Sequence, residues 1–480
     1  MSGFIKGVNR SQSTLFPESL DDFVIAENTV RVIDVFIEAL ELAALGFAGM
    51  IIKSTGRPKY HPAVMLKLYL YGYLNRVQSS RRLEVEANRN IELMWLLERL
   101  APDFKTIADF RKNNAKGIKH VCRTFVQLCR QLHMFDEGEI AIDGSKFKAS
   151  NNKDNNYTPK KMAFHIERVE KHISNYLEKL DRADEEQHSP QTIKATQETI
   201  SNLKQKLAEL KILEKEVKDH PEKQISTTDP DSRLMKTQGM TRVVSYNIQS
   251  AVDTKHHLIV AHEVTNTTDR GQLCPTAVLA QHALKRKDLT VIADKGYFSG
   301  QDIKDTQDAG MTPLVPKGDT SGSDKKGIFN RSKFTYDKEK DVYICPNNSQ
   351  LMPGKTMTKD RDLYLMHYRA RVKDCRQCSL QPQCTKSATP RKITRWEHQD
   401  RIDNMDKLMK KRPDLMLIRK QSVEHPFGTI KCWMGMTHLL TRRFKNVRTE
   451  MNLHVLAYNF KRMLNIMGIE GLMNAIKAKI

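Results

Sequence analysis

Acidic residues are the scarce partner in this chain: 57 Asp and Glu face 79 Lys and Arg, a formal net charge of +22 over 480 residues. Such a deficit points first to nucleic acid, whose phosphates a basic surface neutralises. Long apolar runs are also missing. The most apolar stretch, residues 39–52, is broken by Glu41 and is shorter than the roughly 20 residues a membrane-spanning helix needs. The start, MSGFIKGVNRSQ, has none of the apolar run of a secretory signal. These absences predict a cytoplasmic protein with no membrane partner. Of the eight cysteines, four crowd into residues 345–384, which is not a disulfide framework spread along the chain and fits a reducing compartment. What is present, 39% hydrophobic and 28% charged residues, is enough to fold, and the length predicts two to four domains.

Residues 1–28, read as an N-terminal extension, carry no strong signal, and helices are predicted over 29–132. The segment HPAVMLKLYLYGYLNRV opens with Pro62, at home in a first helical turn. Its Met65, Leu66, Tyr69, Leu70, Tyr73 and Leu74 recur at helical spacing. Ser79 and Ser80 before RRLEVE, and Pro102-Asp103 before TIADFRKNN, mark further helix starts. The basic residues Arg81, Arg82, Arg89, Arg111 and Lys112 suit a helix-turn-helix DNA reader, while a small helical bundle with solvated charges fits the same pattern.

Over 161–222, Met162, Ile166, Val169, Ile173, Tyr176 and Leu180 form one heptad seam. Ile193, Thr196, Ile200, Leu203, Leu207 and Leu210 form a second after a break at Ser189-Pro190. They predict an inserted antiparallel helical hairpin, or two amphipathic surface helices. The runs VVSYNIQSAVDT and HHLIVAHEV, with a turn at Asp253–Lys255, read as a β-hairpin, followed by a helix over Pro275–Leu284. In the segment 325–395, Cys375-x-x-Cys378 together with Cys345 and Cys384 supplies the four soft ligands of a structural zinc site. Ordinary reduced cysteines in a β-rich insertion are the alternative. The chain is helical and basic again from about Asp403, and its Arg442, Arg443, Lys445 and Arg448 are either a solvated face or phosphate contacts.

Three acids carry the chemical argument. Ile140, Ala141 and Ile142 form a short apolar strand that Asp143-Gly144 is expected to stop, and the strand Leu289–Ala293 is followed in the same way by Asp294 and Gly296. Glu424 is a lone acid among bases in RKQSVEHPFGTIK, residues 419–431. An RNase H-like fold places three acids in this order, on its first strand, after its fourth strand and on a later helix. Asp253 is set aside because it falls in the predicted hairpin turn, and Asp229, Asp231 and Asp269 are read as loop and cap residues. Phosphodiester displacement needs the attacking oxygen activated and the leaving oxygen stabilised, which two divalent ions about 3.5–4 Å apart can do. Mg²⁺ takes hard oxygen ligands and keeps part of its water, so three carboxylates suffice.

A wider set of motifs supports the same reading: SSRRLE, PDFKTIADFR, AIDGSKFKA, DPDSRLMKT, YNIQSAVD, VIADKGYFSG and VEHPFGTIK. In this order they resemble the DDE transposases of bacterial insertion sequences, over roughly Val30–Met467. The resemblance implies an α/β protein, an RNase H-like mixed sheet core with an N-terminal all-helical DNA-binding domain at 29–132. The core would be assembled from 138–160, 225–318 and 400–475, with a helical-hairpin insertion at 161–222 and a Cys-rich β insertion at 325–395. It further implies that Asp143, Asp294 and Glu424 bind Mg²⁺ (or Mn²⁺) in a two-metal site, and that the chain cuts element ends in double-stranded DNA and joins them to a target, working as a homodimer. Related enzymes set Tyr, Arg and Lys around the last acid. Here Lys431 fits the Lys, Lys420 stands where Arg is usual with Arg419 beside it, and Leu417 replaces the Tyr. Candidate DNA contacts are therefore Arg419, Lys420, Lys431, Arg442, Arg443, Arg81 and Arg82. Pro426 predicts a kink or a helix boundary beside Glu424. The competing functions are a catalytically inactive or domesticated DNA-binding protein on the same fold, and a nuclease without strand transfer.

Overall fold

A computed structural model describes residues 18–479, apart from 49–57, 136–137, 186–189, 238–240, 319–321, 323–325, 361–362 and 388. Most of the expected N-terminal extension, the break at Ser189 and the end of the 39–52 run thus lie outside the described residues. The chain opens with α1 (Thr29–Glu38), α2 (Pro62–Leu74), α3 (Ser80–Arg89), α4 (Ile91–Leu96), α5 (Phe104–Asn113) and α6 (Ala115–Gln131). Side-chain caps set their starts: Asn28 accepts from the Val30 amide at 3.0 Å, and Asp103 from the Lys105 and Thr106 amides at 3.0 and 2.9 Å. Helix α2 is buried all round, with Leu66, Leu68, Tyr69 and Tyr73 at most 1% exposed. Even Lys67 is drawn inside, 2.6 Å from both Asp34 and Glu38. A helix apolar on every side belongs in an interior.

The central sheet begins with β1 (Glu139–Lys148). The chain then leaves through β2 (Asn156–Tyr157) into α7 (Pro159–Glu185) and α8 (Pro190–Asp219), and returns through β3 (Ile225–Ser226), which pairs with β2 as a two-stranded neck. This is the predicted helical hairpin. Met162, Val169, Ile173 and Ile200 of its seams are buried, and Ile166, Tyr176, Leu203, Leu207 and Leu210 half-buried. After β4 (Arg233–Lys236), β5 (Arg242–Asp253) and β6 (Ile259–Thr265) come α9 (Leu273–Leu284), β7 (Thr290–Ala293), α10 (Gly300–Asp308) and β8 (Thr312–Leu314). Strand β5 is antiparallel to β1, β4 and β6, whereas β7 runs parallel to β1 and β8 parallel to β7. The mixed order, β6 and β4 on β5, then β1, β7 and β8, is the RNase H-like arrangement expected from the sequence.

The Cys-rich segment folds on its own sheet of β9 (Thr335–Asp337), β10 (Val342–Ile344), β11 (Gln350–Pro353), β12 (Thr358–Asp360) and β13 (Leu363–Arg369). Two short helices, α11 (Val372–Arg376) and α12 (Gln381–Cys384), lead into its last strand, β14 (Lys392–Trp396). A small core of Phe334, Tyr343, Leu351, Tyr368 and Ile393 holds it together. Arg395 ties it to α13 (Gln399–Lys411) through Asp400 and through Asp403 at 2.9 Å.

Helix α14 (Leu415–Gly428), a π-helical turn (Thr429–Trp433) and α15 (Phe444–Lys479) finish the chain. Phe460 of α15 lies 5.8 Å from Phe36 and 5.5 Å from Phe125, so the N-terminal helices and the sheet share one core around this helix. Asn459 also blunts the exposed edge of β6: its amide accepts from the Ile259 N–H at 2.9 Å and donates to the Ile259 carbonyl at 2.8 Å.

Candidate active site

The register of two strands creates the site. In the parallel pair β1–β7 the last partners are Ile142 and Ala293, so the next residue on each strand is an acid, Asp143 and Asp294. Adjacent strands lie about 4.8 Å apart, and two apolar runs each ended by a carboxylate therefore bring those carboxylates side by side. Strand β7 stops there. Asp294 caps the following turn, its Oδ1 accepting from the Gly296 amide at 2.7 Å. Strand β1 does not stop, contrary to the expectation for Asp143-Gly144, and runs on to Lys148. The edge of β1 beyond Asp143 is thus left without β7 beside it, which forms an open notch.

Gly144 is required for space rather than for a turn. A Cβ at this position would lie 2.1 Å from Oδ1 of Asp269 and 2.5 Å from Nε2 of Gln249. Asp269 lies in the loop after β6, as read from the sequence, and its side chain reaches back to Gly144 beside the notch. Oδ1 accepts from Asn247 at 2.8 Å and Gln249 at 3.0 Å, while Oδ2 faces Nζ of Lys146 at 3.5 Å. Gln249 in turn accepts from the buried hydroxyl of Tyr297. The sequence did carry a signal for this network, since a glycine inside a strand pattern marks a close approach by another group.

Helix α14 supplies the cation. Arg419 Nη2 lies 2.6 Å from Asp143 Oδ1 and 3.9 Å from Asp294 Oδ2, with the three side chains 14%, 24% and 42% exposed. Burial pushes the Asp143 carboxyl up to about 6; Arg419 opposes this, and the charges of Asp294 and Asp269 add to it. On the neighbouring turn Lys431 donates to Ser145 Oγ at 2.6 Å and to the Lys146 carbonyl at 3.0 Å, and burial pushes its pKa down. Ser250, the cross-strand partner of Asp143, keeps a buried Oγ with no hydrogen-bond partner beside the acid.

The predicted residues divide accordingly. Arg419, not Lys420, addresses the acids; Lys420 is exposed. Glu424 is also exposed, roughly 140° around the helix from Arg419 at 100° per residue, and the Arg419 contact joins only Asp143 and Asp294. The expected helix boundary beside Glu424 is absent: α14 passes through Pro426 to Gly428 and continues into the π turn. Arg442 and Arg443 are exposed before and at the start of α15, and Arg81 and Arg82 are exposed on α3. Arg111 is not on a DNA-facing surface, because it turns inward to the Tyr73 hydroxyl at 3.4 Å. Asp253, Asp229 and Asp231 are structural as expected. Asp253 accepts from the Lys255 and His256 amides, Asp229 from the Arg443 amide and Asp231 from the Phe444 amide.

Among the described residues no three His, Cys, Asp or Glu side chains stand close enough to hold a metal ion. The donors nevertheless suit a hard divalent cation at the notch, since two carboxylates already share one positive group there. Cys345, Cys375, Cys378 and Cys384 all line one cavity of about 30 Å³. Burial first, and then the neighbouring thiols, push the Cys375 thiol up; Cys384 is raised likewise, with Arg391 opposing.

Comparison with known proteins finds two domain families along the chain. A transposase domain family (DUF772) matches residues 18–113, and a transposase DDE domain family matches residues 344–464. The second match takes in the Cys-rich segment and Glu424 and does not reach Asp143 or Asp294. Among solved structures, a piggyBac transposase synaptic complex with hairpin DNA superposes with a TM-score of 0.34 at 9% identity, over 94% of this chain and 79% of that one. No curated protein matches the chain. Both matched domain families are those of transposases, and over these two segments the chain is similar to the DDE transposases.

Proposed function

We propose that this transposase cleaves the ends of its own element in double-stranded DNA and transfers them to a target in a metal-dependent reaction. The pairing of Asp143 with Asp294 across the end of the β1–β7 ladder, both facing one cation, carries this reading. Asp143 and Asp294, with Glu424 brought in from α14, would hold Mg²⁺ or Mn²⁺. A pair of such ions, when bound, activates the attacking oxygen and stabilises the leaving one. The chain's own groups bind and orient the DNA. Arg419 would exchange its carboxylate partners for a phosphate, and Lys431, fixed on Ser145 and the Lys146 carbonyl, would hold its charge against the same strand. A homodimer pairing two ends, action in the cytoplasm and a structural zinc ion on Cys345, Cys375, Cys378 and Cys384 complete the proposal. No described helix is long and apolar enough to cross a membrane.

The deciding experiment incubates the purified chain with duplexes bearing the element ends, a target plasmid and Mg²⁺, and maps the cut and joined strands. Metal-dependent cuts at the ends with joined products are expected. Cuts without joining would reduce the activity to a nuclease, and binding without cuts would favour the inactive DNA-binding alternative. Elemental analysis of the same preparation should give about one zinc per chain, and a value near zero would remove the zinc site.

A further inference from the structure

Five residues beyond Asp143, β1 runs into a second feature, a wide cleft of about 760 Å³ at the base of the helical hairpin. Its cationic lining is Lys148, Lys153, Arg242 and Arg442, with His438 beside them, all of them exposed. Three amide side chains, Asn151, Asn152 and Asn155, lie among them, and among the described residues no Asp or Glu lines the cleft. Solvated basic residues on a protein surface are ordinarily interspersed with acids. A lining of cations and amides without a carboxylate presents only groups that suit phosphate oxygens.

The cleft is built by backbone pairing. Lys148 closes the β1–β5 ladder opposite Ser245, and its carbonyl accepts from the Leu439 amide at 2.8 Å. The Ala149 amide donates to the Val244 carbonyl at 2.9 Å. Arg442 is pinned across the mouth by a 3.1 Å bond from its Nε to the Ser150 carbonyl, and Lys161 props the other wall by donating to the Lys153 carbonyl at 2.9 Å. The cations thus sit on a rigid frame continuous with the strand that bears Asp143. At about 3.3 Å per residue, the five steps from Asp143 to Lys148 span roughly 17 Å. Phosphates of one B-DNA strand advance about 3.4 Å each along the helix axis, so a duplex whose axis follows β1 covers the same distance in about five nucleotides.

We propose that this cleft holds the backbone of the double-stranded DNA flanking the reacting phosphate, about five nucleotides away from it. The proposal rests on the DNA-cleaving reading above and adds the path of the substrate. Because the contacts are to phosphate, the cleft contributes affinity and register rather than sequence choice. Of the residues read from the sequence as DNA contacts, Arg442 belongs to this cleft, while Lys148, Lys153, Arg242 and His438 went unnoticed because they come from separate stretches.

The test measures binding of the full chain to an end-bearing duplex as salt is varied, for wild type, Lys148→Glu, Arg442→Glu and the double variant. Each single variant is expected to weaken binding about tenfold and to lower the slope of log affinity against log salt by about 1, uniformly across DNA sequences. Ethylation of phosphates about five nucleotides from the acid site should block wild-type binding and matter less to the double variant. Affinity and slope equal to wild type in the double variant would overturn the proposal. Asp143→Ala separates the two readings, since it should bind through the cleft as wild type does. A wild type that binds in this way but never cuts would refute the cleavage reading and leave the cleft assigned. Lys148 and Arg442 are exposed, and thermal melts of their single and double variants should coincide with wild type.

Discussion

Two acid-bearing regions of this molecule differ in what satisfies their carboxylates. At the start of α15, Glu450 is fully buried and accepts from the Leu440 and Thr441 amides at 2.9 Å each and from the Thr441 hydroxyl at 2.6 Å. Asp229, equally buried, accepts from the Tyr246 hydroxyl and from the Arg443 amide at 2.9 Å. These partners are backbone or packed core and cannot leave without unfolding the turn. At the notch, Asp143 and Asp294 face a side-chain cation on another helix, remain partly exposed and lie beside a strand edge with no neighbour. A side-chain cation can be exchanged for another cation. Burial of an acid therefore says little about function by itself, and the kind of partner says more.

That contrast can be broken by substitution. The largest effect is expected at the notch: Asp143→Ala, Asp294→Ala or Glu424→Ala should reduce end cleavage below detection in a gel assay while DNA affinity is retained. Near-normal cutting by any one of them would remove that residue from the site. Glu424 is the sharpest case, because it must be brought in from an exposed position. At the other region, Glu450→Ala should leave two amides without their buried acceptor and cost about 3 kcal/mol in denaturant unfolding, with cutting preserved at low temperature. A smaller effect is expected between the two, where Asp269→Asn keeps the shape but weakens the hold on Lys146. Cutting should fall about 10- to 100-fold, as for groups that orient ligating residues, with an unchanged melting temperature. A large stability loss instead would make Asp269 a structural acid like Glu450.

The smallest effect is in pH dependence, and its sign differs between the regions. His454 on α15 is buried against the Tyr73 ring at 4.5 Å with both ring nitrogens unpartnered, and burial pushes its pKa down to about 3. The unfolded chain binds that proton near pH 6.5, so this group's stability is present above 6.5 and is lost as pH falls toward 3. Asp143 acts in reverse. Its carboxyl is raised to about 6, so the metal-free protein gains from it at low pH and loses that gain as pH rises from about 4 to about 6. Unfolding midpoints measured in EDTA from pH 4 to 7 should show a flatter acid loss in His454→Phe and a steeper one in Asp143→Asn. Identical profiles would show that neither group is coupled to folding.

Much of this was legible in the residues. The heptad seams from Met162 to Leu210 are local patterns, and so are the caps at Asn28 and Asp103 and the apolar runs ended by Asp143 and Asp294; local patterns survive into the structure. Two misreadings were local as well. Asp143-Gly144 looked like a strand stop, and Pro426 like a helix stop, because turn and breaker preferences are weak beside the pairing of β5 with β1 and the packing of α14 on the sheet. Asp269 was missed for a different reason: nothing within a few residues of it shows that Gly144, on a strand 125 positions earlier, has been left bare to admit it.

The sequence by itself determined the composition of the site, namely which acids follow buried strands and how far the basic charge outweighs the acidic. Those follow from side-chain chemistry and period-2 or period-3.6 patterning, which need no partner to be read. Only the tertiary structure decided the neighbours. It placed Arg419 rather than Lys420 against the acids, turned Arg111 into the core, left Glu424 outside the Arg419 contact, and gathered Lys148, Lys153, Arg242 and Arg442 around one cleft. The reason is that register and helix rotation are fixed by the whole apolar core, and shifting a strand by one residue or turning a helix by 100° exchanges the residues that face the site.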